Sequence, residues 1–394
     1  MSFDAWVAGR KAPRVDVDQL RNWKLVDAFR ARVLPLLAAR PLAPSEEDPR
    51  RTLRQMDYFC AFLLAAFNPV ITSLRSLAAV SHSQRMRQVT AAPFAASSFS
   101  AGQHLFSPQI LNRAVRQLAG ELNAKGLGQE WEAGNPRVRQ ALASLTAVDG
   151  TVWRAVDRMV WARASGHGKA VRLHIHFSVF EQTPERWTVT PGTANESTIF
   201  RQHLRSGAFY VGDRLYARCH EDLQAIIDAE ADFVFRLNNN TIFSPVEAQR
   251  PLSEADRKAG VAWDQLMRLG GQGEGPVLRV VRVEAAGKIF HLGTTRRDLD
   301  AELIGLIYRE RWQIELFFKW IKTILNGRHW LAESPSGAQM QLYCVLICAL
   351  LLMLWTGQRP NKRMVEALRF YQMGWVDEND LALLLSRAQP RKKS

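Results

Sequence analysis

Apolar positions recur with two different spacings along the chain, and the changes of spacing divide it into three parts. Up to about residue 140, apolar residues recur at helical spacing, as in 50–67 and 107–122. From about 141, short apolar runs follow the two-residue period of β-strands, and from 334 onwards the helical spacing returns. The patterns predict a helical N-terminal domain at 1–140, an α/β core at 141–333 and a helical C-terminal region at 334–394.

The central part is predicted to form an α/β sheet with strands in mixed directions. Its elements follow the order three strands, a helix, a strand, a helix and a strand. The strands are predicted at 143–148, 171–180, 186–190, 208–213 and 232–237. Helices are expected at 195–204, with Asn195 as the N-cap, and at 215–229.

Residues 238–297 follow the last of these strands and are less regular. Within them, 277–283 and 288–292 have the pattern of two strands joined by a turn at 285–287. The Gly-rich segment at 270–276 is predicted to be a plain loop. A phosphate-binding loop is the alternative, but no Lys-Ser or Lys-Thr pair follows the glycines.

The densest mixture of polar and aromatic residues lies at 308–322, which reads YRERWQIELFFKWIK. It contains no Gly or Pro and predicts a helix over 298–325. Four polar side chains fall on one stripe, with Lys319 projecting near it: Tyr308, Arg311, Glu315 and Lys322. Apolar residues occupy much of the remaining circumference: Ile304, Ile307, Trp312, Ile314, Leu316, Phe317, Phe318, Trp320 and Ile321. The helix is therefore predicted to be buried on most sides.

A polar stripe on a buried helix indicates a cleft, a metal site or an anion site, because charged groups are rarely buried without partners. The alternative is a set of solvated ion pairs, each stabilising the helix by only a few tenths of a kcal/mol. The density of Trp and Phe beside the stripe favours the first interpretation.

The net charge of the chain indicates a class of binding partner. Lys and Arg number 52 against 38 Asp and Glu, which gives the 394-residue chain a net charge of +14. Such an excess favours a polyanionic partner, above all nucleic acid, although a basic protein kept soluble by its charge is the alternative.

Four scattered cysteines imply no disulfide framework and fit a reducing cytoplasm. No signal peptide is expected. The longest apolar run, 342–355, is shorter than the ~20 residues of a membrane span and predicts a buried helix.

Three carboxylates stand out by their positions. Asp149 and Asp213 are each predicted to end a strand, and Glu315 lies on the central helix. Strand ends of an α/β sheet form the crevice where ligands bind, so the three can converge. Such a cluster is tolerated with bound divalent cations, and oxygen ligands favour Mg²⁺ or Mn²⁺, of which two can assist phosphodiester cleavage. Taken singly, Asp149 also fits a turn residue before Gly, and Asp213 also fits a helix N-cap.

The spacing Tyr-x2-Arg-x3-Glu-x6-Lys resembles the signature of transposases of the insertion-sequence IS4 family. Asp149-Gly150-Thr151 resembles the first-aspartate motif of that family, and Gly212-Asp213-Arg214-Leu215-Tyr216 resembles the second. Leu215 stands where the family usually has Gly, which puts the local turn in question. The resemblance extends from about residue 149 to 352.

The resemblance implies a ribonuclease H-like catalytic core with a strand-rich insertion at 238–297. It implies that Asp149, Asp213 and Glu315 bind two Mg²⁺ or Mn²⁺ ions for DNA cleavage and strand transfer. DNA would be held by a further set of residues: Tyr308, Arg311, Lys322, Lys319, Arg236 and Asn238. The implied partners are the terminal inverted repeats of the element and target DNA, bound by a homodimer in the bacterial cytoplasm at the nucleoid.

Several alternatives remain open at the level of sequence. Arg236 and Asn238 also fit ordinary polar residues at a strand end. His174 and His176 share a strand face and could bind zinc, but no third ligand is placed by spacing. The N-terminal helices carry Arg and fit either DNA backbone contact or a packing or dimer module. Two rival functions are a nuclease without strand transfer and a non-enzymatic DNA-binding protein.

Overall fold

The computed structural model describes these parts of the chain: 25–41, 46, 48–68, 70–84, 86–126, 136–163, 168–271, 275–324, 329–357 and 359–388. Parts of two predicted features lie outside them: residues 272–274 of the Gly-rich segment and residue 325, the end of the predicted central helix.

The helices, in chain order, are α1 (Leu25–Ala38), α2 (Gln55–Phe67), α3 (Leu74–Ser81), α4 (Ala96–Leu105), α5 (Gln109–Ala124), α6 (Pro136–Ala143), α7 (Glu196–Arg201), α8 (His220–Asp228), α9 (Glu254–Lys258), α10 (Ala301–Glu310), α11 (Trp312–Ile324), α12 (Pro335–Thr356), α13 (Lys362–Met373) and α14 (Glu378–Ala388). Short 3₁₀ helices lie at Met86–Gln88 and Arg214–Ala217. The strands are β1 (Leu145–Arg154), β2 (Ala170–Ser178), β3 (Thr183–Pro191), β4 (Phe209–Gly212), β5 (Asp232–Arg236), β6 (Phe243–Pro245), β7 (Val261–Leu269), β8 (Val277–Ala285) and β9 (Lys288–Thr294).

The chain divides into two compact units. Among the described residues, the first contains those of Gly128–Val152 and Arg172–Phe317, and the second contains those of Ala12–Leu127, Trp153–Val171 and Phe318–Ser394. The boundaries predicted at 140/141 and 333/334 remain predictions about domain organisation.

The first unit is built on a mixed sheet, in which nine described strands have the order β3-β2-β1-β4-β5-β9-β8-β7-β6. β4 runs parallel to both β1 and β5, and the pairs from β5 through β9, β8 and β7 to β6 are antiparallel. The predicted mixture of strand directions is therefore confirmed. The predicted insertion is not a separate sheet, because its four strands β6–β9 extend the core sheet beyond β5.

The hairpin between β8 and β9 has the turn that its sequence predicts. Ala285 pairs with Lys288, and the two residues between them, Ala286 and Gly287, have positive φ values of 49° and 72°. Positive φ at both central residues is the property of the type I′ turn, whose twist matches the twist of paired strands. Gly287 adopts this conformation at little steric cost, whereas Ala286 adopts it against the preference of an L-residue.

Three local predictions are corrected by the structure. β1 continues to Arg154, so Asp149 lies within the strand and not at its end. Beyond Gly150 the side chains of Thr151 and Trp153 are buried, whereas those of Val152 and Arg154 are exposed, which is the alternation of an extended strand with one covered face. β2 is buried on both faces, where the sequence suggested simple alternation. Residues 215–229 are not one helix, because the 3₁₀ helix Arg214–Ala217 precedes α8.

The predicted central helix is also two helices, α10 and α11, separated at Arg311. At this junction two backbone hydrogen bonds have the i to i−3 pattern of a 3₁₀ helix. Arg311 N donates to Tyr308 O at 3.3 Å, and Ile314 N donates to Arg311 O at 3.2 Å. These bonds tighten the chain relative to an α-helix and change the direction of the side chains that follow. Trp312 is 53% exposed and Leu316 37% exposed, so their predicted burial is wrong.

The second unit is helical around α12, which packs against α1, α2, α4 and α5 of the same unit. α12 is long and apolar enough to cross a membrane by length and composition, but 89% of its most apolar 18-residue window is buried inside the protein. It is therefore the core helix of this unit, as the apolar run at 342–355 predicts. Aromatic rings on α2 and α4 complete the core, with the centroids of Tyr58 and Phe99 4.3 Å apart.

Candidate active site

Two aspartates meet where β1 passes the end of β4. Ala147 pairs with Val211 in the parallel register, so Asp149 and Asp213 each lie two residues beyond a paired position. Asp213 still has an extended backbone, with φ −81° and ψ −177°. Because residues two apart point to the same face and neighbouring strands lie about 4.8 Å apart, the two carboxylates share one side of the sheet.

Each aspartate is oriented by a backbone amide. Asp149 Oδ1 accepts a hydrogen bond of 2.8 Å from Gly150 N, and Asp213 Oδ1 accepts one of 2.8 Å from Leu215 N. Asp213 is thus the N-cap of the 3₁₀ helix, which was the alternative considered for it, and its second oxygen is not used by the cap. Leu215 does not adopt a positive φ, so the turn does not require the glycine that the resemblance led us to expect.

Asp149 is a largely buried carboxylate whose pKa is influenced by several charged neighbours. Its pKa is raised to about 7, mainly by burial; the negative charges of Asp213 and Glu196 contribute to the rise, and the Gly150 amide and Arg311 oppose it. Additional positive charge nearby favours the ionised form of Asp149.

Arg311 supplies part of that charge from the junction between α10 and α11. Its Nη1 donates to Glu315 Oε1 at 2.6 Å, and the two side chains are only 14% and 31% exposed. The pair is therefore not the solvated surface ion pair that was the alternative for this helix. Arg311 Nε is buried and has no hydrogen-bond partner among the described residues, so it can still donate to a bound group.

Arg311 belongs to a stack in which two aromatic rings lie between two guanidinium groups, in the order Arg236, Phe290, Tyr308 and Arg311. The Arg236 guanidinium lies 4.8 Å from the Phe290 ring centroid, and the Phe290 and Tyr308 centroids are 5.9 Å apart. The Arg311 guanidinium lies 5.6 Å from the Tyr308 centroid. The stack links β5, β9 and α10, so the insertion contributes directly to the position of Arg311.

The other predicted residues have the following surroundings. Asn238 follows β5, where its carbonyl oxygen accepts a hydrogen bond of 3.1 Å from Thr241 N. Lys319 and Lys322 belong to the second unit. Lys319 is exposed, and Lys322 Nζ lies 5.3 Å from the ring centroid of Trp153 in that unit.

Four residues in the vicinity of the site were not singled out by sequence reasoning: Glu196, Arg172, Tyr216 and Phe290. Glu196 is ion-paired with Arg172 and accepts a hydrogen bond of 3.4 Å from the hydroxyl of Tyr216. The sequence offered only a weak signal for Glu196, an acidic residue directly after the Asn195 cap. Tyr216 had been noted as part of the second-aspartate motif, but without a role.

The zinc alternative at His174 and His176 is not supported. His174 Nε2 is 2.9 Å from Thr190 Oγ1, and burial lowers the pKa of His176 to about 3. Across the described residues, no three His, Cys, Asp or Glu side chains are arranged to hold a metal ion. These histidines are neutral core residues.

The lack of a three-ligand group among the described residues also concerns the predicted divalent-ion site. Asp149 and Asp213 fit a hard cation by their oxygen donors, their adjacent positions and the raised pKa of Asp149. Glu315 accepts a hydrogen bond from Arg311. Among the described residues, Glu315 does not form a three-ligand cluster with Asp149 and Asp213. The fit is therefore carried by the two aspartates.

Comparison with known proteins agrees with this arrangement. Residues 140–351, more than half of the chain, match a sequence family described as the transposase DDE domain. The putative transposase y4zB of Sinorhizobium fredii is 30% identical over 239 residues, covering 59% of this chain and 66% of the relative. The probable transposase for insertion sequence element IS5377 of Geobacillus stearothermophilus is 26% identical over 230 residues, covering 57% of this chain and 60% of the relative.

A third relative matches a shorter segment. The putative transposase InsL for insertion sequence element IS186A of Escherichia coli is 35% identical over 80 residues, covering 20% of this chain and 22% of the relative. The match to each of these three proteins spans less than two thirds of its length. The family match covers the sheet, both aspartates and the two helices that carry Arg311 and Glu315. The chain belongs to the family of transposases with a DDE domain.

Proposed function

We propose that the protein is a DNA transposase that cleaves the ends of its own insertion element and joins them to target DNA. The observation that carries the proposal is the placement of Asp149 and Asp213 opposite each other beyond the paired residues of two parallel strands. Family membership supplies the reaction class and implies a divalent metal ion. The N-terminal helices and their Arg residues are proposed to contact the DNA backbone.

In this proposal, Asp149, Asp213 and Glu315 hold two Mg²⁺ or Mn²⁺ ions. Bound divalent ions activate the attacking water or hydroxyl and stabilise the leaving 3′-oxygen. Glu315 exchanges its bond to Arg311 for this role, which leaves the Arg311 guanidinium available to a DNA phosphate. Tyr308 keeps the guanidinium in place through the stack.

The DNA contacts proposed here extend beyond Arg311. Lys319 and Lys322 would supply positive charge to the phosphate backbone, and Arg236, at the end of β5, and Asn238, just after it, would also contact the DNA. The substrate would be the terminal inverted repeats and the target duplex, bound by a homodimer. The protein would act in the bacterial cytoplasm at the nucleoid.

The test is incubation of the purified protein with its own element ends and Mg²⁺, with nicked, hairpin and joined products resolved on gels. We expect Asp149→Ala, Asp213→Ala and Glu315→Ala each to abolish cleavage while end binding is retained. Glu254→Ala is the matched control, because that glutamate is exposed on α9 and forms a surface ion pair with Lys258, one turn away on the same helix.

The outcomes separate the alternatives. Cleavage without joined products favours a nuclease of the same fold, and binding without any cleavage favours a DNA-binding protein. Full cleavage by one of the three variants removes that residue from the proposed site.

A further inference from the structure

A cleft with a volume of about 270 Å³ lies between α5 and α12. Six of the residues that line it are polar or charged: Gln109, Asn112, Arg113, Arg116, Gln339 and Tyr343. Both helices belong to the second unit, whereas Asp149 and Asp213 belong to the first. The α5–α12 cleft is therefore a feature separate from the candidate active site.

The polar lining of the cleft follows from the periodicity of its two helices. On α5, the lining residues start at Gln109 and recur three, four and seven positions later, beside the buried apolar face that runs from Ile110 to Leu122. On α12, Gln339 and Tyr343 are one turn apart. Tyr343 is buried and both arginines are exposed, so the cleft is open to solvent on the side of the arginines.

The charge of the cleft is positive and is not balanced by its own lining. Arg113 and Arg116 contribute two guanidinium groups, and no Asp or Glu lines the cleft. The one carboxylate of α5, Glu121, is paired with Arg32 at 2.7 Å. Arg116 Nε donates to Asn112 Oδ1 at 3.1 Å, which orients its side chain along the helix. No hydrogen bond or ion pair joins Arg113 to another of the described residues.

This lining fits a phosphate group that belongs to a polymer. A guanidinium donates two parallel hydrogen bonds to phosphate oxygens, and side-chain amides add single donors. The open side lets a chain enter and leave the cleft, whereas pockets for small ligands enclose most of the ligand surface. Of the lining residues, Tyr343 alone is aromatic, and its burial leaves no exposed ring on which an unpaired base could stack.

We propose that the α5–α12 cleft binds a backbone phosphate of double-stranded DNA, held by Arg113 and Arg116 from α5 and by Gln339 from α12. The inference rests on the proposed function, which supplies the DNA. It identifies one position at which an N-terminal helix contacts the backbone, and it adds a contribution from α12. A contact of this kind fixes the register and orientation of the duplex without reading its sequence.

The experiment combines ethylation interference with fluorescence anisotropy on a duplex that contains an element end. Ethylation removes the charge of one phosphate, so ethylation of the phosphate in the cleft weakens wild-type binding. We expect Arg113→Gln and Arg116→Gln each to weaken duplex binding on the order of 10- to 100-fold, the range for hydrogen bonds to charged groups. Both variants should lose no further affinity when that phosphate is ethylated. The slope of log affinity against log salt should fall by about 1 in each.

Gln339→Glu tests the opposite wall of the cleft. It keeps the size of the side chain and every basic residue but adds a carboxylate, which should weaken duplex binding because like charges then face each other. Arg75→Gln on α3 and Gln202→Glu after α7 are the matched controls, because both residues are exposed and neither lines the cleft. Both controls should keep the wild-type response to ethylation of that phosphate. Thermal unfolding shows whether each variant is folded.

The results also separate this inference from the proposed function. If the wild type binds the duplex and the folded cleft variants keep its ethylation pattern, the phosphate site is excluded and the proposed function stands. Calorimetric binding of inorganic phosphate that Arg113→Gln abolishes, with an unchanged ethylation pattern, would show a site for a free anion and would overturn the inference. A wild-type protein that does not bind the duplex would contradict the proposed function itself.

Discussion

Arg311 is the residue at which most of the local interactions of the site meet. It ends α10, bonds to Glu315 on α11, stacks on Tyr308 and lowers the pKa of Asp149. A planar guanidinium can make these contacts together because its donors and its face point in different directions. A lysine ammonium at the same position has no plane with which to stack.

Substitutions of Arg311 should therefore affect positioning more than metal binding. We expect Arg311→Ala and Arg311→Lys both to reduce cleavage, on the order of 100-fold for a misplacement of about 1 Å. Mn²⁺ binding, measured by titration, should be retained in both. The exposed Arg257→Lys variant serves as the control, and wild-type cleavage by Arg311→Ala would exclude Arg311 from the site.

Tyr308 offers a separate test of the stack. Tyr308→Phe keeps the ring between Phe290 and Arg311 and removes only the hydroxyl, whereas Tyr308→Leu removes the ring. If the ring positions Arg311, Tyr308→Phe retains most of the cleavage rate and Tyr308→Leu loses it. Equal losses in both variants would instead indicate that the hydroxyl contacts DNA. End-cleavage rates at saturating Mg²⁺ distinguish the two results.

Among the elements, the insertion strands matter because they join the start of α10 to the sheet. Arg279 on β8 forms a two-bond ion pair with Asp264 on β7, at 2.9 and 2.7 Å, with side chains 3% and 5% exposed. The remaining Arg279 nitrogen, Nη1, donates to the carbonyl oxygens of Arg296 and Leu299, just before α10. A single buried side chain thus connects the insertion to the helix that ends at Arg311.

Removal of Arg279 should be costly because it leaves Asp264 buried without its partner. We expect Arg279→Ala to lower the free energy of unfolding by about 3–5 kcal/mol in urea denaturation. The double variant Arg279→Met with Asp264→Leu should recover much of that loss, since no buried charge remains. A small loss in the single variant would mean that water reaches Asp264 once the guanidinium is gone.

For the whole molecule, the net charge of +14 predicts how DNA binding responds to salt. Binding that neutralises six to ten phosphates should weaken about 10³- to 10⁵-fold between 50 and 200 mM salt, because bound counterions are released from the DNA. Fluorescence anisotropy with an end-containing duplex measures this slope. Salt-independent binding would contradict an electrostatic contact with nucleic acid.

Stability of the molecule should also depend on pH through its buried histidines. Burial lowers the pKa of His176 to about 3, whereas the unfolded chain binds a proton near 6.5. The unfolded state therefore holds more protons between these values, and stability falls as the pH drops below 6.5. His176 alone should lower the free energy of unfolding by about 2 kcal/mol between pH 7 and pH 5.

The variant His176→Gln tests this dependence. Its unfolding free energy should change less between pH 7 and pH 5 than that of the wild type, by the same amount of about 2 kcal/mol. His104→Gln, the same substitution at a histidine exposed on α4, is the control. Identical pH profiles for wild type and His176→Gln would show that the histidine is not held neutral.

Sequence alone determined the features that depend on neighbouring residues. The five core strands, the α7 cap at Asn195 and the hairpin turn at 285–287 follow from periodicity, capping and turn chemistry. The mixed sheet and the membership of a DDE-domain family were also predicted correctly, the latter from the spacing of four polar residues on the central helix.

Tertiary structure decided what depends on residues far apart in the chain. The parallel register of β1 and β4 placed Asp149 opposite Asp213, and the break at Arg311 exposed Trp312, which a continuous helical pattern had predicted to be buried. Glu196 packs against β1 because α7 returns to that strand, where Gly150 has no side chain. Local patterns do not contain such information, because the free energy of these contacts comes from surfaces that meet only after the chain has folded.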